Sequence, residues 1–144
     1  SPRRILTLKS PPKAKTCASW GHELQLVGYT LNSGDVMSLD LVWQVIAPPP
    51  PGATLVRYVH LLDMDGTIIA QEDRPLGEAN LSQSIWLPGE YVIDPVQLSR
   101  TDVQGTALRV GIYWQATGHT LERQTCTGEP QEESGLVLPL NALK

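Results

Sequence analysis

The sequence predicts an all-β protein, an antiparallel β-sandwich of immunoglobulin or fibronectin type with seven to nine strands. Three observations carry this. First, apolar and polar residues alternate over short runs, most clearly Leu39, Leu41, Trp43 and Val45 against Ser38, Asp40 and Gln44, and Leu108, Val110, Ile112 and Trp114 against Arg109, Gly111 and Tyr113. A period of two marks strands with one face buried and the other solvated. Second, 12 Pro and 12 Gly in 144 residues punctuate the chain at short intervals, and helix formers dominate no window. Third, a chain of this length buries about two-thirds of its unfolded surface around a single core and needs neither metal nor partner to do so.

Taken in order, residues 1–21 lack a sustained period and read as an extended N-terminal arm or linker, with one edge strand at Ile5 to Leu8. Residues 22–144 read as a single sandwich domain. Glu23 to Leu31 alternates and meets the turn Asn32-Ser33-Gly34-Asp35, and Val36 to Ile46 follows as the clearest strand. Pro48 to Pro51 with Gly52 cannot donate ladder hydrogen bonds and ends it. Thr54 to Leu62 is β-rich with two readings of its faces: Leu55, Val59 and Leu61 share one with Arg57, while Val56, Tyr58 and Leu62 share the other with His60. Asp63-Met64-Asp65-Gly66 then turns the chain into Thr67 to Gln71, completing a hairpin.

Arg74 to Gln83 reads as a polar loop, Ser84 to Leu87 as a short apolar run, and Pro88-Gly89 as a turn into Tyr91 to Leu98, where Pro95 marks an edge or bulge. Thr106 to Gln115 is the second clean strand. Ala116 to His119 turns it back through Thr120 to Cys126; Thr127 to Ser134 is an acidic loop and Gly135 to Leu140 a last strand.

The net charge is −4, and the cations gather at Arg3, Arg4, Lys9, Lys13 and Lys15. A short basic arm beside prolines is a solvated lead-in and not a nucleic-acid face, so no nucleic-acid partner is expected. There is no apolar run of membrane-spanning length and no signal peptide, and the start at Ser1-Pro2-Arg3-Arg4 reads as a cut from something longer. Cys17 and Cys126 lie 109 positions apart. They pair as a disulfide, which implies an oxidising compartment, or stay as two buried thiols. Neither they nor His22, His60 and His119 stand at metal-ligand spacing, so no metal and no cofactor is called for.

Leu61 to Thr67 matches the opening motif of haloacid dehalogenase phosphatases, with Asp63 as nucleophile, Asp65 as acid/base and Thr67 to hold phosphate. That chemistry also needs a downstream cation, an acidic pair for Mg²⁺ and a parallel α/β sheet. After Asp65 the only lysine is Lys144, Asp73, Asp94 and Asp102 stand apart, and no strand-helix alternation follows. A motif without its context is a weak warrant, so the phosphatase is disfavoured and no catalytic residue is named. An acidic turn at Asp63 and Asp65 with Glu72 or Asp73 suits Ca²⁺, but such turns are ordinarily just turns.

The succession Leu26-Val27-Gly28-Tyr29, Gly34-Asp35, Leu41-Val42-Trp43-Gln44, Tyr58 to Asp63, Asp65-Gly66, Trp86 to Glu90 and Leu108 to Tyr113 resembles a β-sandwich domain found C-terminal to the membrane region of bacterial glycosyltransferases of the protein mannosyltransferase type. The resemblance spans Glu23 to Leu140; Arg57, where an apolar residue is common, and the two cysteines depart from it. It implies a non-catalytic accessory domain on the extracytoplasmic side of a bacterial membrane. Its expected partners are carbohydrate or the membrane region of the same polypeptide. Trp20, Trp86 and Tyr113 are the candidate binding residues, an aromatic platform that stacks on sugar rings; the competing reading leaves the aromatics in and around the core. The alternative function is a purely structural or protein-interaction sandwich.

Overall fold

The computed structural model describes residues 12, 14–32, 37–77, 81–98 and 105–140. Among them are nine strands: β1 (Ala14–Trp20), β2 (Leu24–Asn32), β3 (Met37–Val45), β4 (Leu55–Leu62), β5 (Ile68–Pro75), β6 (Tyr91–Leu98), β7 (Ala107–Trp114), β8 (Arg123–Thr125) and β9 (Leu136–Pro139). They form two antiparallel sheets, one ordered β6-β3-β2-β1-β8 and the other β5-β4-β7-β9. The alternation that predicts strands also sorts their faces. Leu39, Leu41, Trp43 and Val45 of β3 and Leu108, Val110 and Ile112 of β7 are buried between the sheets. The predicted sandwich is the observed fold.

Three elements differ from the sequence reading. Ala14–Trp20, assigned there to an arm, is a strand inside the first sheet, paired to β2 on one side and β8 on the other. Lys15 and Cys17 on its outer parity mask an inner parity that ends in buried Ala18 and Trp20. The strand expected at Ile5 to Leu8 lies outside the described residues. β5 runs on to Pro75 through Glu72, Asp73 and Arg74, because an edge strand tolerates charges that a central one does not. Ser84 to Leu87 begins in a 3-10 turn, Gln83–Ile85, and the buried Gln83 amide takes the part of a neighbouring strand. Its Oε1 accepts from Leu55 N at 2.7 Å and its Nε2 donates to the carbonyls of Leu55 and Leu76, both at 2.9 Å.

The ambiguous β4 resolves with Arg57 inward. Leu55, Val59 and Leu61 point to the core, and Arg57 joins them with no exposed surface. A guanidinium there must be paired. Its Nε donates to Asp94 Oδ2 at 2.8 Å, and its Nη2 to Glu72 Oε1 at 2.7 Å and to the Pro95 carbonyl at 3.2 Å. Its Nη1 donates to the Glu72 carbonyl at 2.9 Å. Asp94, on β6 of the opposite sheet, also accepts from Trp43 Nε1 at 3.1 Å. Trp43 meets Trp20 edge to face, ring centroids 5.4 Å apart. Burial works against both charges, yet Asp94 and Glu72 outweigh it for Arg57, whose pKa is raised, whereas burial prevails at Asp94 and pushes its carboxyl up.

The hairpin between β4 and β5 closes on the sequence-predicted residues. Gly66 N donates to the Asp63 carbonyl at 3.1 Å and Asp63 N to the Thr67 carbonyl at 3.0 Å, with Gly66 at φ +80°. The Asp63 carboxylate accepts from the backbone N–H of Asp65 and of Thr67, both at 2.9 Å. The acids of the phosphatase-like motif thus build a turn.

Two expectations follow. Arg57→Ala strands the Asp94 carboxylate in the core and costs about 3–5 kcal/mol in urea unfolding, whereas the double substitution of Arg57→Met with Asp94→Leu recovers most of that loss; equal destabilisation by both would exclude the ion pair as the cause. At the hairpin, Asp63→Asn keeps the acceptor and stays within about 0.5 kcal/mol of the parent, while Gly66→Val forces a branched residue to positive φ and costs about 1–3 kcal/mol by the same measurement.

Candidate functional site

Arg57 turned inward sends its neighbours outward. Tyr58 and His60 stand on the solvent face of the second sheet, and cross-strand pairing sets Asp73 and Gly111 beside Tyr58, Arg109 beside His60, and Tyr113 one pair further along β7. These side chains floor a groove of about 430 Å³ whose wall includes Thr120, Glu133, Ser134 and Gly135. Gly111 makes the floor possible, since a Cβ there would run into the Tyr58 ring. The Tyr58 ring lies over that gap, 4.7 Å from His60 and 6.4 Å from the nearly parallel Tyr113 ring.

The polar groups are held in defined directions. The Tyr113 hydroxyl donates to Asp73 Oδ2 at 2.9 Å, and Tyr58 lines the groove beside Ser134. Burial raises the Tyr58 phenol, and for Tyr113 burial and the bond to Asp73 act the same way, so both are neutral donors at physiological pH. Burial lowers the His60 pKa, Asp73 opposes that and Arg109 adds to it. The Nδ1 of His60 and the Nε of Arg109 are buried and have no hydrogen-bond partner. The wall is pinned from beneath. Trp20 Nε1 donates to the Ser134 carbonyl at 2.7 Å and Arg123 Nε to the Glu133 carbonyl at 2.9 Å.

The three aromatics proposed as a platform do not come together. Trp20 has no exposed surface and belongs to the core. Trp86 is half-buried, packed against the core and over Gly77, where a Cβ would meet its Cζ2 at 3.2 Å. Tyr113 alone reaches the groove. The reason is parity: Trp20 lies on the inner face of a strand whose existence the sequence reading missed, and Trp86 follows the 3-10 turn that plugs the end of β4. Tyr58 and Arg109 were not singled out as binding residues, and His60 and Asp73 were weighed only for metal, although the His60 parity of β4 already grouped Tyr58 with His60. Their union with Tyr113 depends on strand pairing, which no single segment reveals.

Cys17 and Cys126 form a disulfide, with Cα atoms 5.3 Å apart. Among the described residues, no group of three or more His, Cys, Asp or Glu is arranged to hold a metal ion, and no helix is long and apolar enough to cross a membrane. The class defined so far is a two-sheet β-sandwich bearing an aromatic and polar groove on one outer face. No protein-family model matches the chain, and no curated protein does.

His60 gives a pH test. Its folded pKa lies below the unfolded value of about 6.5, so the unfolded chain binds the proton more readily and acid opposes folding. The associated stability is fully present above that value and is lost as pH falls toward the folded one. Chemical unfolding at about pH 7.5 and about pH 5.5 therefore shows a smaller acid loss for His60→Asn than for the parent; an unchanged acid loss would mean that burial does not hold the ring neutral.

Proposed function

We propose that the chain is a non-catalytic accessory domain, extracytoplasmic, that binds glycan in the Tyr58–Tyr113 groove. The observation that carries this reading is the composition of the groove. It sets an accessible tyrosine ring beside two phenol hydroxyls, a carboxylate, an arginine and a neutral imidazole. Sugars present apolar ring faces and a periphery of hydroxyls, so a stacking ring flanked by fixed donors and acceptors suits them.

The other parts of the reading have separate support. The disulfide favours an oxidising compartment. The connectivity favours immunoglobulin or fibronectin kinship: β2, β3 and β6 take the places of strands A, B and E, and β4, β7 and β9 those of C, F and G. A setting beside the membrane region of a protein mannosyltransferase-type glycosyltransferase rests on the motif order from Leu26 to Tyr113.

A protein-contact module is the second reading, favoured by the apolar residues exposed around the hairpin and edge strand β5. Met64, Ile68 and Ile69 are 87%, 43% and 40% exposed.

Calorimetric titration against a polysaccharide panel separates the two. On the glycan reading at least one oligosaccharide binds, and Tyr113→Ala weakens it by about tenfold, or about 1.4 kcal/mol, with the unfolding midpoint unchanged. No binding across the panel would leave the protein-contact module.

A further inference from the structure

We infer, building on the glycan reading of the groove, that its ligand is an anionic oligosaccharide: one ring stacks on Tyr113 and a carboxylate or sulfate substituent is received by Arg109.

Arg57 and Arg109, neighbours on the inner strands of the second sheet, differ in their pairing. Arg57 is satisfied by two carboxylates and two backbone carbonyls. The Arg109 side chain makes no ion pair or hydrogen bond with any described residue, and its Nε is buried without a partner. Its stem is fixed all the same. It lies against Gly135, where a Cβ would come within 2.6 Å of Cγ. A guanidinium held by packing with its donors unused is prepared for a carboxylate or a sulfate group, two of whose oxygens it grips through parallel hydrogen bonds.

The surrounding charges leave that role open. His60, the direct cross-strand partner of Arg109, is kept toward its neutral form by burial and by Arg109 itself. Asp73 is engaged by the Tyr113 hydroxyl. Glu133 is exposed on the wall, and its carbonyl is held by Arg123. Arg109 is thus the one cationic side chain among the described residues that line the groove, beside the carboxylates of Asp73 and Glu133, so an anion is received at Arg109 and not by the groove as a whole.

Both contacts lie on one strand. Arg109 and Tyr113 are four residues apart on one face of β7, about 13 Å along an extended strand. Gly111 between them carries no side chain, and the Tyr58 ring lies in its place. A glycan lying along this face of β7 meets both.

The test is calorimetry on the intact chain with three probes matched in length: a neutral oligosaccharide, a uronate oligosaccharide and a sulfated one. At least one anionic probe binds about tenfold more tightly than the neutral probe, and its affinity falls as salt is raised. Arg109→Gln removes the preference, Arg109→Lys retains part of it, and Tyr113→Ala weakens all probes alike. Uronate binding without sulfate binding, or the reverse, identifies the substituent. Equal affinity for neutral and anionic probes overturns the inference and leaves the glycan reading standing, whereas no binding of any probe overturns both. If Arg109→Gln does not fold, as judged by circular dichroism, Arg109→Lys and the salt dependence of the parent decide.

Discussion

The structure depends on the contact between Arg57 and Asp94. A sandwich needs its two sheets held at a fixed offset, and side chains of the Leu and Val type supply cohesion without direction. Here a guanidinium from β4 crosses the interior to a carboxylate on β6, the only such contact among the described residues that joins the sheets by charge. Removing both groups from water is expensive, and the Coulomb attraction alone does not offset it. The remaining donors are therefore distributed over Glu72 and Pro95, and the remaining need of Asp94 is met by Trp43. Glu72 continues the chain of contacts outward, accepting from Gln97 N at 3.0 Å, so edge strands β5 and β6 are stitched at the rim as well. Directional bonds of this kind favour one arrangement of the sheets over near alternatives.

The same contact decides which residues face solvent. Strand parity is strict, so placing Arg57 inside places Tyr58 and His60 outside, and a slip of one residue would exchange them. The groove is thereby the reverse side of the ion pair. Tyr58 is flat and largely covered because Gly111 stands opposite it. Arg109 is displayed because its own strand buries Leu108 and Val110 on the other face. Uncharged residues at positions 57 and 94 together would satisfy the core as well, but would not fix the register of β4 by charge.

Much of the fold was legible in the sequence because alternation is a local property. The strands at Val36 to Ile46 and Thr106 to Gln115, the proline break and the Asp63 to Gly66 turn all read directly from residue order. β1 was missed because its inner residues, Ala14, Thr16 and Ala18, are small or polar and only Trp20 is large. The faces of β4 were undecided because burial of Arg57 needs Asp94, a partner 37 positions away. The groove was illegible for the same reason. Tyr58, Asp73, Arg109 and Tyr113 lie on three strands, and Ser134 on a segment between β8 and β9, so only pairing and packing bring them together. Tyr113 was reached by residue type alone, and that criterion also chose Trp20 and Trp86, which the core claims.

The groove wall links the site to the long-range disulfide. β8 is three residues long and cannot by hydrogen bonding alone anchor the acidic segment that follows it. Cys126, next after β8, is fastened to Cys17 on β1, and Arg123 and Trp20 hold Glu133 and Ser134 at the far end. In the chain-entropy account a bridge across about 109 residues disfavours the unfolded state by about 4–5 kcal/mol, far more than a local turn contributes. β1 thus serves two surfaces at once. Its outer parity carries the cysteine that fixes the start of the wall, and its inner parity carries the tryptophan whose indole reaches through the core to the end of it. A strand that looked like a dispensable lead-in is the element on which both the closure of the fold and the shape of the groove converge.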